Sequence, residues 1–65
     1  MEWDEFLKLK HGDKVRFIGE WNPSAVGEID EVWADSEGNA YLPSGHSLYP
    51  LNEFNPHDWE KVEEN

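Results

Sequence analysis

Asp13-Lys14-Val15-Arg16-Phe17-Ile18, then Gly19-Glu20-Trp21-Asn22-Pro23-Ser24-Ala25-Val26, then Gly27-Glu28-Ile29-Asp30-Glu31-Val32-Trp33-Ala34 decide how this chain folds. Val15 and Phe17 stand two apart with Lys14 and Arg16 between them, and period-2 alternation puts one face inward and the other in water. Gly19 ends that strand. Trp21-Asn22-Pro23-Ser24 reads as a loop, because Pro23 fixes its own φ, turns Asn22 away from the helical region and offers no ladder donor. Gly27 reopens the chain at a corner or close backbone approach. Ile29, Val32 and Trp33 then follow, and no regular strand places all three on one face. A bulge or sharp bend near Asp30-Glu31 would let this strand serve two halves of a small barrel.

Outward from that centre, Trp3, Phe6 and Leu7 keep i, i+3, i+4 spacing, which predicts a short helix over residues 2–9. Asp4 and Glu5 in its first turn and Lys8 and Lys10 at its end suit the helix dipole. So short a helix persists only if Trp3, Phe6 and Leu9 dock on the rest, and Gly12 is its expected left-handed cap. Downstream, Asp35-Ser36-Glu37-Gly38-Asn39 is a polar turn that joins residues 28–34 to Ala40-Tyr41-Leu42 as a hairpin. Pro43-Ser44-Gly45 is a further turn, Ser47-Leu48-Tyr49 a strand, and Pro50 its exit or an edge position. Leu51 to Phe54 reads as one 3-10 turn, Asn55-Pro56-His57 as a connector, and Asp58-Trp59-Glu60-Lys61-Val62 as the closing strand. Residues 63–65 are expected to fray. Phe17, Ile29, Val32, Leu42, Leu48, Leu51 and Val62 are the expected core.

Sixty-five residues form one domain with a marginal core, so the four Trp, three Phe and two Tyr must supply most of the burial. There is no cysteine, hence no disulfide and no thiolate metal site, and a reducing cytoplasm is the expected compartment. The N-terminal Met1-Glu2-Trp3-Asp4-Glu5 lacks the basic and apolar regions of a signal peptide, and no apolar run reaches the ~20 residues of a membrane span. Five Lys and Arg against fifteen Asp and Glu give a net charge of −10. That excludes direct nucleic-acid or anionic-membrane binding and points to a cationic protein partner, a nucleic-acid mimic, or plain solubility.

Short strands, closely spaced turn signals and a 3-10 turn before the last strand suggest a small barrel. Gly12-Asp13-Lys14-Val15, Gly27-Glu28-Ile29, Leu51-Asn52-Glu53-Phe54 and Trp59-Glu60-Lys61-Val62 resemble an SH3-like barrel. The chain is also similar to small acidic proteins of phages and prophages of Gram-positive bacteria. The resemblance implies a mainly β, five-stranded SH3-like barrel over residues 12–65 with the helix of residues 1–11 packed on it. It also implies a monomeric phage protein that binds one host or phage protein. The Ala-Leu-Tyr-Asp-Tyr-type segment and paired tryptophans of peptide-binding SH3 domains are absent.

No chemistry-bearing constellation emerges. Ser24, Ser36, Ser44 and Ser47 have no His–acid partner at informative spacing, and the abundant carboxylates form no recognisable acid–base pair. His11, His46 and His57 share no ligand spacing, although His46 and His57 would meet in a barrel. The expectation is a non-enzymatic protein with no cofactor and no metal. It would bind through an acidic and aromatic face made of Trp21, Asp30, Glu31, Tyr41 and Tyr49, since exposed aromatics anchor interfaces. Trp21 has two readings, a lid over the barrel end or a recognition platform. The alternative function is a nucleic-acid mimic that inhibits a basic DNA-binding protein, because Glu28 and Asp30 on one strand face would lie roughly 6.6–6.8 Å apart, near the phosphate repeat.

Overall fold

Val32 divides the strand that the sequence leaves ambiguous. The computed structural model describes residues 1–63 and places Val32, fully buried, between β2 (Ile29–Glu31) and β3 (Trp33–Ala34). β2 belongs to an antiparallel sheet of order β2-β1-β6, with β1 at Lys14–Phe17 and β6 at Trp59–Val62. β3 belongs to a second antiparallel sheet of order β3-β4-β5, with β4 at Ala40–Ser44 and β5 at Ser47–Pro50. The chain therefore changes sheets at Val32, one residue beyond the expected Asp30-Glu31 bend. The fold is mainly β, with two three-stranded sheets and a short helix, α1, at Trp3–Phe6. Six strands replace the expected five because the break splits one of them, and the pairing among the described residues closes no barrel.

Burial of Val32 fixes the phase of its neighbours. The β1–β2 register sets Val15 opposite Asp30 and Arg16 opposite Ile29. Directly opposed residues share a sheet face, so Asp30 takes the side of buried Val15 and Ile29 the side of Arg16. Ile29, an expected core residue, is accordingly 50% exposed. Leu48, also an expected core residue, is 51% exposed. Tyr49 is paired with fully buried Leu42, so Leu48, one residue away, faces outward. Val62 lies opposite Lys14 and is half-buried. The core consists of Phe6, Leu9, Val15, Phe17, Val32, Leu42, Leu51 and Trp59. Trp59, missing from the expected set, packs edge-on against its β1 neighbour Phe17.

The helix is shorter than its apolar spacing predicts. It ends at Phe6, and Leu9 reaches the core from a following turn, its N–H bonded to the Phe6 carbonyl at 3.3 Å. Phe6 and Leu9 thus anchor the N-terminal segment, whereas Trp3 and Leu7 stay exposed. Gly12 (φ +91°) caps no helix. Its positive φ turns the chain so that its N–H bonds to the Val32 carbonyl at 2.9 Å. An exposed Arg16–Glu60 pair at 2.7 Å spans β1 and β6, worth about 0.2–1 kcal/mol.

Two 3-10 turns precede β6, where one was expected: η1 at Leu51–Glu53 and η2 at Pro56–Asp58. The second is written in Asn55-Pro56, an N-cap followed by proline at the first helical position. The Asn55 side-chain oxygen accepts from the His57 N–H at 3.0 Å. Of the segment expected to fray, residues 64–65 lie outside the described residues.

The β3–β4 loop is held by one side chain. Asp35 Oδ1 accepts from the N–H groups of Glu37 and Asn39, both at 2.9 Å, and Oδ2 accepts from Asn39 Nδ2 and the Tyr41 hydroxyl. These donors, the Asn39 amides foremost, hold the Asp35 pKa below the usual carboxylate value. A carboxyl whose folded pKa is depressed stabilises above its unfolded pKa and loses that effect as pH falls through the folded one. Asp35→Ala is therefore expected to lower the thermal midpoint at neutral pH. The gap from the parent should close on acidification below the ordinary aspartate range, as read in paired melting curves.

Candidate functional site

Between the two sheets the chain leaves a groove of about 570 Å³. Buried Phe17 and Trp59 form its floor, and Trp21 and Phe54 rise on either side. Four carboxylates line it: Glu28 just before β2 and Asp30 within β2, and Glu53 and Asp58 from the 3-10 turns. Pro43, Ser44 and Gly45 at the β4–β5 turn close one end. Among the described residues no Lys, Arg or His lines it.

The loop of residues 18–28 sets the Trp21 wall. Successive turns fold it, with N–H···O bonds from Asn22 to Gly19, Ala25 to Asn22 and Glu28 to Ala25. Its start is tied to η2 through the Ile18 N–H and the Asp58 carbonyl at 2.7 Å. The Trp21 indole Nε1–H donates to Asp58 Oδ2 at 2.9 Å, and its ring meets Phe17 edge-on at 5.5 Å between centroids. Trp21 nevertheless stays 73% exposed. The ring leans over Phe17 while most of it faces solvent.

Gly19 makes that closure possible. A Cβ built there would lie 2.6 Å from Phe17 Cζ, 2.8 Å from Trp21 Nε1 and 3.0 Å from Asp58 Oδ1. The rings continue from Trp21 through Phe17 and Trp59 to Phe54. Phe17–Trp59 centroids are 5.2 Å apart and Phe54–Trp59 centroids 6.1 Å, both edge-to-face. Such contacts add to the burial energy of the rings and hold the floor in one geometry.

Asp30 is the electrostatic oddity of the groove. The phase set by Val32 puts a carboxylate where alternation from Val15 calls for an apolar side chain. Partial burial, and then the charge of Glu28, raise its pKa above the ordinary aspartate value. No ion pair among the described residues involves Glu28, Asp30, Glu53 or Asp58.

The residues proposed from sequence do not gather. Trp21 and Asp30 share the groove. Glu31 lies opposite Lys14 on the other side of the sheet. Tyr41 borders a shallower hollow of about 300 Å³ beside Leu7 and Leu51, and Tyr49 sits on β5 outside the groove. The readings from sequence had left out Glu53, Phe54, Asp58 and Trp59. The Asn55-Pro56 cap was the local signal available, because it fixes the turn that aims Asp58 at the loop. His46 and His57 join no group of three or more His, Cys, Asp or Glu able to hold a metal ion among the described residues. Among the described residues no helix is long and apolar enough to cross a membrane.

An aromatic floor with carboxylate walls and no counter-charge suits a cation with an apolar body. Ring faces attract positive charge, and the partly desolvated Asp30 carboxylate attracts it more strongly than a fully solvated one would. Compared with known proteins, the chain matches no protein-family model, no curated protein and no solved structure.

Proposed function

We propose that this chain is a non-enzymatic binding module that receives a cationic segment of a partner protein in the groove floored by Phe17 and Trp59. The observation that carries this reading is the lining of the groove, where Asp30 and Glu28 lie beside aromatic rings and, among the described residues, no Lys, Arg or His joins them. Such an arrangement costs stability in the free protein, and a titratable group perturbed by burial and a like charge inside a cleft marks a candidate functional site. In this reading the two sheets are the halves of an SH3-like barrel, and the partner is a host or phage protein. The nucleic-acid-mimic alternative asks for a convex row of carboxylates. Glu28 and Asp30 open instead into a concavity with aromatic rings, which favours a peptide.

The test is titration of the isotopically labelled protein with short Lys- and Arg-bearing peptides beside uncharged matches. Amide shifts should concentrate on Phe17, Trp21, Asp30 and Phe54. Trp21→Ala should weaken binding by on the order of thirtyfold, the ~2 kcal/mol of an aromatic anchor. Asp30→Asn should move two quantities in opposite directions. An acid whose folded pKa is raised destabilises above that pKa, so the amide should raise the melting temperature at pH 7 and leave it unchanged in acid. The same change should weaken peptide binding. Shifts confined to the Lys14–Arg16 face, or equal binding of the uncharged peptides, would dismiss the proposal.

A further inference from the structure

Among the described residues, every sheet edge but one is guarded. At β3, the Ala34 N–H donates to His11 Nδ1 at 3.1 Å. At β6, Glu60 and Lys61 supply charge and the Met1 ammonium donates to the Trp59 carbonyl at 3.4 Å. β2 carries Asp30 and Glu31. Charge and capping are the usual means of keeping sheet edges apart. β5, Ser47-Leu48-Tyr49-Pro50, has neither, and all four of its residues are exposed. No Asp, Glu, Lys or Arg stands between Glu37 and Glu53, in a chain whose residues are 31% charged.

The two prolines of this hairpin settle which β5 groups face outward. The register pairs Tyr41 with Pro50, Leu42 with Tyr49, Pro43 with Leu48 and Ser44 with Ser47. In an antiparallel ladder, hydrogen-bonded and non-bonded pairs alternate. Proline has no N–H, so the pairs containing Pro43 and Pro50 take the non-bonded places and those of Leu42 and Ser44 the bonded ones. The Leu48 N–H and C=O therefore point to the open edge, and Pro50 brings no donor there. The edge offers one complete donor–acceptor pair, centred on an exposed leucine.

We infer that β5 is a self-association edge, pairing antiparallel with β5 of a second copy about a two-fold axis at Leu48. Leu48 of each copy then exchanges both N–H···O bonds with Leu48 of the other, and each Tyr49 faces Ser47 of the other copy. A two-fold contact requires a self-complementary patch. Two bodies of charge −10 repel wherever carboxylates meet, so this uncharged hairpin is the surface on which two copies approach at least electrostatic cost. Neither Leu48 nor Tyr49 lines the groove, so pairing leaves two grooves open on one particle. A partner bearing two cationic segments would gain avidity from that arrangement.

A four-residue edge makes a small interface, and association is expected at a Kd on the order of 0.1 mM. Sedimentation velocity from 10 µM to 1 mM at pH 8 is the test, with ~50 and ~500 mM salt as its two arms. The parent should dimerise, several-fold more tightly in the higher salt, where like charges are screened. Leu48→Lys should weaken the dimer at least tenfold. A synthetic chain carrying a methyl group on the Leu48 backbone nitrogen should do the same. That nitrogen bonds nothing within the protomer, so the second variant decides the matter if the first misfolds. A monomer at 1 mM in both salts would overturn the inference. So would a dimer indifferent to both variants, or one that forms only with a strand from another protein.

Discussion

Gly19→Ala is expected to cost both stability and binding. The added methyl would meet Phe17, Trp21 and Asp58 at 2.6, 2.8 and 3.0 Å, closer than carbon atoms tolerate in two of the three cases. Phe17 is core and cannot retreat, so the Trp21–Asp58 bond must yield or the loop must lift. Overpacking of this kind costs roughly 1–3 kcal/mol. In a domain of this size each kcal/mol moves the midpoint by about 4–8 °C, so a fall of roughly 10 °C is expected in a melting curve. Indole N–H exchange should quicken in parallel. A variant that melts with the parent and keeps a protected indole would show that the loop does not pack as described.

Val32→Ser should be more damaging, and its contrast with Ile29→Ser is the sharper measurement. Val32 is fully buried where the chain passes between the sheets. Losing its burial costs about 1.5–3 kcal/mol, and an unpaired buried hydroxyl adds about 1–3 kcal/mol. The whole stability of such a domain is on the order of 3–10 kcal/mol, so this change leaves the protein near its unfolding threshold. Ile29 faces water beside Arg16, and its replacement should alter stability by less than about 0.5 kcal/mol. Urea titration of the two variants separates the outcomes. Equal losses at the two positions would mean that the phase of this strand is other than the one described.

That contrast shows where the sequence is silent. Between Gly27 and Ala34 two apolar sets compete, Ile29 with Trp33 or Val32 alone. Larger side chains favour the first set, yet the fold buries the second, with Val32 at the point where the chain passes from one sheet to the other. No local pattern records where a strand changes sheets. β1 was legible because Val15 and Phe17 alternate with Lys14 and Arg16, and both apolar residues are buried. The Asp35–Asn39 turn was legible because Gly38 (φ +86°) and Asp35 each carry their own local reason to be there. The helix was overextended because i, i+3, i+4 spacing marks a face and not an end. The groove joins segments around residues 17–30, 43–45 and 53–59, which are distant in sequence, so of its lining only Trp21 and Asp30 are proposed from the sequence. Asn55-Pro56 was readable and passed for a connector.

Asp58 reaches the loop of residues 18–28 twice, through its carbonyl to Ile18 and its carboxylate to Trp21. One residue thereby fastens two opposite banks, so they shift together or not at all. Under the proposed function, a guest arriving there would find the aromatic ring already parked, with less rotational freedom to surrender on docking. The proposed recognition would then depend on rigidity prepared in advance.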